Sequence, residues 1–153
     1  MVTMQPKIKA VLDNIKHEIN AEYGFYEDIP RINYGPCGVF AHIFFMNWNQ
    51  RFHQKVHICF VMTQSRDECD HVCICLPSGE FYDGGIGIHT RQVYEPKFII
   101  DDMFIYDETT LEKWSYGLER TYPRFCPTFD RKVVEEIVCK NLDTLTDDDF
   151  IKQ

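Results

Sequence analysis

One cysteine in this chain stands where a thiol becomes a nucleophile. Cys37 lies in NYGPCGVFAHIF, residues 33–44, where a Gly/Pro stretch turns into an apolar run of helical period. A sulfur at a helix mouth meets unpaired backbone N–H groups and the positive end of the helix dipole. Both favour the thiolate, the nucleophilic form. Gly35 and Gly38 leave room beside it for a substrate backbone. Taken alone, the segment also fits a small core residue at a helix start.

A second segment supplies a base and its orienter. In DHVCICLPSGEFYDGGIG, residues 70–87, His71 opens an apolar strand, Pro77, Ser78 and Gly79 form a turn, and Asp83 ends a short return strand. A hairpin brings such residues together. Asp83 can then fix the tautomer of His71 and stabilise its charged form. The turn decides whether this works. A three-residue loop or a bulge puts Asp83 opposite Cys73, diagonal to His71 and on its face. A strict two-residue turn puts it on the other face. The competing reading is a satisfied sheet histidine and an exposed turn aspartate.

The other candidates are weaker. His57 lies in KVHICFV with no acid at hairpin distance and ranks second as base. His42, five residues after Cys37, points to another helix face. His17 and His53 read as surface residues, and His89, after GGIGI, is unassigned. Cys69, His71, Cys73 and Cys75 alternate and would share one strand face. Same-face neighbours lie about 6.5–7 Å apart, and a line of four does not wrap a tetrahedral ion. No metal and no cofactor is expected. The GGIG at 84–87 lacks the lysine of a phosphate loop.

The elements that must position these groups follow from periodicity. Residues 6–21 predict a helix with an Ile8, Val11, Leu12, Ile15, Ile19 stripe and Pro6 at its first position. Residues 24–36 read as a loop. Residues 37–50 predict a second helix, apolar on most sides and therefore central. Residues 55–63 and 71–76 predict strands, 80–83 a return strand, and 98–106 a further, interrupted strand. Residues 109–120 and 129–143 predict helices, Trp114 belonging to the first. The acidic tail after Thr146 reads as frayed. The order is that of an α+β fold in a single domain over residues 1–153.

Cys37, His71 and Asp83, in that chain order, resemble the papain-like cysteine peptidase superfamily in its broad sense, transglutaminase-like branches included. The resemblance covers residues 31–87. It implies a papain-like core: a central N-terminal helix packed on a small antiparallel sheet, with C-terminal helices added. It further implies a cysteine-dependent acyl-transfer enzyme acting on a protein or peptide. With water as acceptor this is a peptidase or amidohydrolase (a thiol protease); with an amine it is a transglutaminase, and deamidation of protein glutamine is the related outcome. A catalytically inactive papain-like binding module is the alternative. An aspartate as third member suits the transglutaminase-like and compact microbial branches, since papain uses asparagine. Two departures stand out. No glutamine precedes Cys37 to donate to an oxyanion, and papain's tryptophan after the cysteine is missing. Asn33 and the backbone N–H of Cys37 are the candidate oxyanion hole. A working site implies that Cys37 and Asp83 are partly open to solvent.

Composition bounds the setting. The 153 residues carry 44% hydrophobic and 14% aromatic side chains, enough for a packed core. The formal net charge of −8 argues against nucleic acid as a partner. No run approaches the ~18 apolar residues of a membrane span, and no signal peptide is expected at the N-terminus. Seven cysteines without a paired framework point to reduced thiols and a cytoplasmic setting, delivery into a host cytosol included.

Overall fold

The structure, a computed structural model, describes residues 4–23, 37–65, 69–95, 97–101 and 130–150. Its elements are helices α1 (Pro6–Glu22), α2 (Cys37–Arg51) and α3 (Arg131–Leu142), and strands β1 (His57–Met62), β2 (Cys69–Cys75), β3 (Phe81–Asp83), β4 (Gly87–His89) and β5 (Ile99–Asp101). The strands form one antiparallel sheet in the order β4-β3-β2-β1-β5. Helix and sheet are thus mixed in the α+β manner. Among the described residues, no helix is long and apolar enough to cross a membrane.

The three helices cover one face of the sheet. The α1 stripe of Ile8, Leu12, Ile15 and Ile19 is fully buried there. Helix α2 contributes Phe40, Ile43, Phe44 and Trp48 and packs mainly on β2 and α3. The sheet contributes Ile58, Phe60, Val72, Ile74 and Tyr82. Tyr82 enters this core because its hydroxyl donates to the Leu12 carbonyl at 2.7 Å, so no polar group is stranded. A smaller cluster of Cys59, Val61, Cys73, Phe81 and Tyr94 fills the opposite face. Burial on both faces explains why β1 shows no apolar alternation: five of its six residues are buried.

Two local irregularities set the register on which the site depends. The β2–β3 connection is Pro77, Ser78 and Gly79, closed by Gly79 N–H to Leu76 O at 2.9 Å and Leu76 N–H to Glu80 O at 2.8 Å. Gly79 has φ +87°, the left-handed conformation that glycine takes without a Cβ clash. Ile74 then pairs with Tyr82 and Cys75 with Phe81. The next step of that register sets Asp83 opposite Cys73. The second irregularity is a bulge: Val61 pairs with His71, but Met62 pairs with Cys69. Asp70 is the extra, exposed residue. The bulge turns Cys69 into the helix-side core, away from Cys73. The expected common face of Cys69, His71, Cys73 and Cys75 therefore does not exist.

One further expectation is corrected. The acidic tail is not frayed: Asp147–Phe150 is a 3-10 turn whose Phe150 packs edge-on against Trp48 at 5.4 Å. Asp147 accepts from the His53 N–H at 2.8 Å, and Asp149 pairs with Lys7 at 3.1 Å. In GGIG, Gly87 opens β4. Gly87 has φ +83°, and a Cβ there would lie 3.1 Å from Lys16 Cδ on α1, so glycine suits both the backbone and the packing. The helix expected over 109–120, the Trp114 within it, the loop at 24–36 and residues 102–106 of the last expected strand lie outside the described residues.

Candidate active site

Three elements converge where β2 begins, β3 ends and α2 starts. Cys37 is the first residue of α2 and is buried. His71 follows the bulge in β2. Its Nε2–H donates to Asp83 Oδ2 at 3.0 Å, and Cys37 lies close enough to the same imidazole to raise its proton affinity. With Nε2 committed to Asp83, Nδ1 is the nitrogen left for the sulfur. His71 thus stands between Cys37 and Asp83.

Asp83 is held from both sides. Its other oxygen, Oδ1, accepts the N–H groups of Gly85 at 2.9 Å, Ile86 at 2.6 Å and Gly87 at 3.4 Å. The turn after β3 therefore folds around the carboxylate. Asn20 of α1 anchors that turn by donating Nδ2 to Gly84 O at 2.9 Å and to Lys16 O at 2.7 Å.

The charges follow from this geometry. Burial opposes ionisation of Asp83, but the hydrogen bond and positive charge of His71 outweigh it, helped by the Ile86 N–H, and the carboxyl stays below its usual range. Burial likewise opposes a charged His71. The neighbouring Cys37 and Asp83 side chains prevail, raising the imidazole from 6.5 to about 10. A charged His71 thus stands beside a buried carboxylate and a sulfur, a setting that favours a thiolate over a thiol.

A second polar pair adjoins it. His89 Nδ1 lies 2.8 Å from the Gly87 carbonyl and its Nε2 lies 2.5 Å from the Tyr94 hydroxyl. The same Nε2 is 4.0 Å from Asp83 Oδ2. The Tyr94 hydroxyl also lies near Cys73, and its ring packs against His71 with centroids 6.0 Å apart. Burial pushes Cys73 well above the usual thiol value and His89 below the usual imidazole value.

The sequence-derived candidates sort cleanly. Cys37, His71 and Asp83 come together. Asn33 lies outside the described residues, so the oxyanion role is carried forward only for the Cys37 N–H, which sits at the mouth of α2. His57 is exposed at the far end of β1, paired with Cys75 rather than near Cys37, and His42 takes a hydrogen bond from Arg131 Nη2 at 3.1 Å. Neither stands at the site. The expected openness is corrected: Cys37 is 2% exposed and Asp83 1%, because the carboxylate is wrapped by backbone donors and the sulfur belongs to the helix–sheet core.

Asn20, His89 and Tyr94 were not assigned from sequence. Asn20 had a signal, a polar residue directly after Ile19 at the end of the buried stripe. His89 and Tyr94 had none beyond their types. No family model matches the chain, nor does any curated protein or solved structure.

Proposed function

We propose that this protein is a cysteine-dependent acyl-transfer enzyme with a papain-like core, in which Cys37 is the nucleophile, His71 the base and Asp83 the orienter. One observation carries the reading: a single imidazole donates to the Asp83 carboxylate at 3.0 Å and lies close enough to Cys37 for the sulfur to raise its proton affinity. Cys37 attacks an amide or thioester carbonyl of a protein or peptide. The carbonyl π electrons move onto oxygen, beside the Cys37 N–H. His71, as imidazolium, then gives its proton to the departing amine or thiol, leaving an acyl-enzyme. Water, deprotonated by His71, releases the acid and restores the pair. An amine acceptor gives transglutamination, and water acting on a glutamine side chain gives deamidation.

The test sets charge against exposure. Of the described cysteines, Cys75 and Cys139 are half-buried and the remainder, Cys37 included, are buried. Alkylation governed by exposure labels Cys139 and Cys75 first. Alkylation governed by thiolate charge labels Cys37 first at pH 6, where an ordinary thiol of pKa ~8.5 is almost wholly protonated. Brief iodoacetamide treatment followed by peptide mass mapping decides between them, and labelling of Cys139 ahead of Cys37 defeats the proposal.

A second reading, an inactive papain-like binding module, is favoured by the burial of Cys37 and Asp83. In it, the bridged histidine only locks the mouth of α2 to the sheet. Cys37→Ala would then keep the full biological effect, whereas the enzyme loses it.

A further inference from the structure

Two imidazoles compete for one carboxylate oxygen in this site. His71 Nε2 stands 3.0 Å from Asp83 Oδ2 and His89 Nε2 stands 4.0 Å from the same atom. Only the first serves the chemistry proposed above. The Gly87 carbonyl is an acceptor and nothing else, so the His89 Nδ1 at 2.8 Å carries a proton. A neutral His89 then presents a lone pair at Nε2, and the Tyr94 hydroxyl must donate to it.

We propose that Tyr94 is a positioning residue that locks His89 as the neutral Nδ1–H tautomer, so that Asp83 is left to His71 alone. The proposal rests on reading Cys37, His71 and Asp83 as the catalytic set. An Nε2–H on His89 would aim a second donor at Asp83 Oδ2 and weaken the bond that orients His71. A doubly protonated His89 would add a second cation beside the imidazolium, and like charges in a buried site oppose one another. Tyr94 prevents both with one hydrogen bond, while its ring walls the side of His71. Asp83 and His71 face His89 from the neighbouring strands. On the α1 side, Lys16 and Asp13 approach Gly87. Arg91 lies over the Phe81 ring that His89 also meets.

Nitrogen-15 imidazole spectra of the full chain read the tautomer directly. The expected wild-type result at pH 7 is a neutral His89 protonated at Nδ1. Tyr94→Phe keeps the ring and removes the hydroxyl. It should move the His89 proton to Nε2 or raise the pH at which His89 becomes doubly protonated, and lower the His71 titration midpoint by about one pH unit, a tenfold change in its proton affinity. Adding His89→Phe to that variant removes the competing donor and should restore the His71 midpoint, a rescue that a merely space-filling Tyr94 would not show. His89→Phe in an otherwise wild-type chain should leave the His71 midpoint unchanged and serves if the double variant does not fold. A wild-type His89 carrying its proton on Nε2, or a Tyr94→Phe chain whose His71 titration does not move, overturns the proposal. Because the wild-type tautomer does not depend on Cys37 reacting, this failure is distinguishable from failure of the catalytic reading, which the alkylation experiment reports.

Discussion

On the helix side of the sheet, Ile58, Phe60, Val72, Ile74 and Tyr82 meet the apolar stripes of three helices. On the other side, beside Val61 and Phe81, the alternate residues of the same strands are Cys59, His71, Cys73 and Asp83, joined by Tyr94 from beyond β4. Both faces are buried, yet they are built from different interactions. The first is held by non-directional burial, which tolerates changes that conserve volume. The second is held by directional bonds between groups that cannot be left unpaired. A short sheet can thus keep an apolar scaffold on one face and the His71–Asp83 pair on the other, with Cys37 reaching the pair from the helix side.

Deleting volume from the apolar face should have the largest effect on the fold. Trp48 is fully buried, stacks on Phe44 at 5.5 Å, meets Phe52 and Phe150 edge-on, and donates Nε1–H to Gln54 O at 2.7 Å. Trp48→Ala should cost about 4–5 kcal/mol, the upper part of the range for large aromatic truncations. Urea unfolding measures it, and a loss below about 2 kcal/mol would mean that the Trp48 cluster does not carry the core.

Breaking the polar face should come next. Asp83→Ala strands the N–H groups of Gly85 and Ile86 and leaves a buried His71 without its partner. The expected loss is about 3 kcal/mol, the lower end for removing one member of a buried pair. Asp83→Asn keeps an acceptor for the turn and should cost less than half as much. Equal losses for the two variants would show that charge, rather than the acceptor, holds the turn around residue 83.

What the sequence disclosed, and what it hid, follows the same division of faces. The helices and central strands were legible because a 3.6-residue stripe over Ile8–Ile19 and an unbroken β-rich run in HICFVM have few other solutions. The pairing of His71 with Asp83 was legible only as one of two registers, and the three-residue turn Pro77–Ser78–Gly79 selects the one that sets them on a common face. The place of Cys69 was not, since a bulge shifts phase without a signature of its own in the residue types. Nor was the packing of Phe150, because an acidic run predicts solvation while a single aromatic at its end decides the docking. Burial of Cys37 and Asp83 was missed for another reason. Which residues wrap a carboxylate depends on the turn after β3, and Gly84–Gly87 states only that a turn is allowed. The Asn20 anchor and the His89–Tyr94 pair are tertiary facts, set by how α1 and the residues after β4 return to the sheet.

The smallest effect on the fold should come from the residue that matters most to the proposed chemistry. Cys37→Ala removes one sulfur from the edge of the helix–sheet core and leaves the α2 backbone in place, so the expected stability loss near neutral pH is about 1 kcal/mol. Its electrostatic consequence is larger and has a definite sign. Burial alone would lower the His71 pKa; the leading cause that raises it is the Cys37 charge, followed by the Asp83 hydrogen bond. A raised folded-state value means that His71 stabilises the fold fully below its ordinary value of 6.5 and loses that contribution as pH rises toward about 10. Asp83 acts oppositely: its lowered value adds stability above the ordinary 3.8 that is lost as pH falls below it. In the wild type, stability should therefore decline between pH 6.5 and 10. In Cys37→Ala the His71 titration should move down and the alkaline decline should begin and end at lower pH, while the acid limb set by Asp83 persists. Proton NMR of the His71 ring and urea midpoints between pH 4 and 10 measure both. A His71 midpoint that stays near 10 without the sulfur would show that Asp83 alone charges the imidazole, and the thiolate–imidazolium pair on which the proposed chemistry depends would have no support.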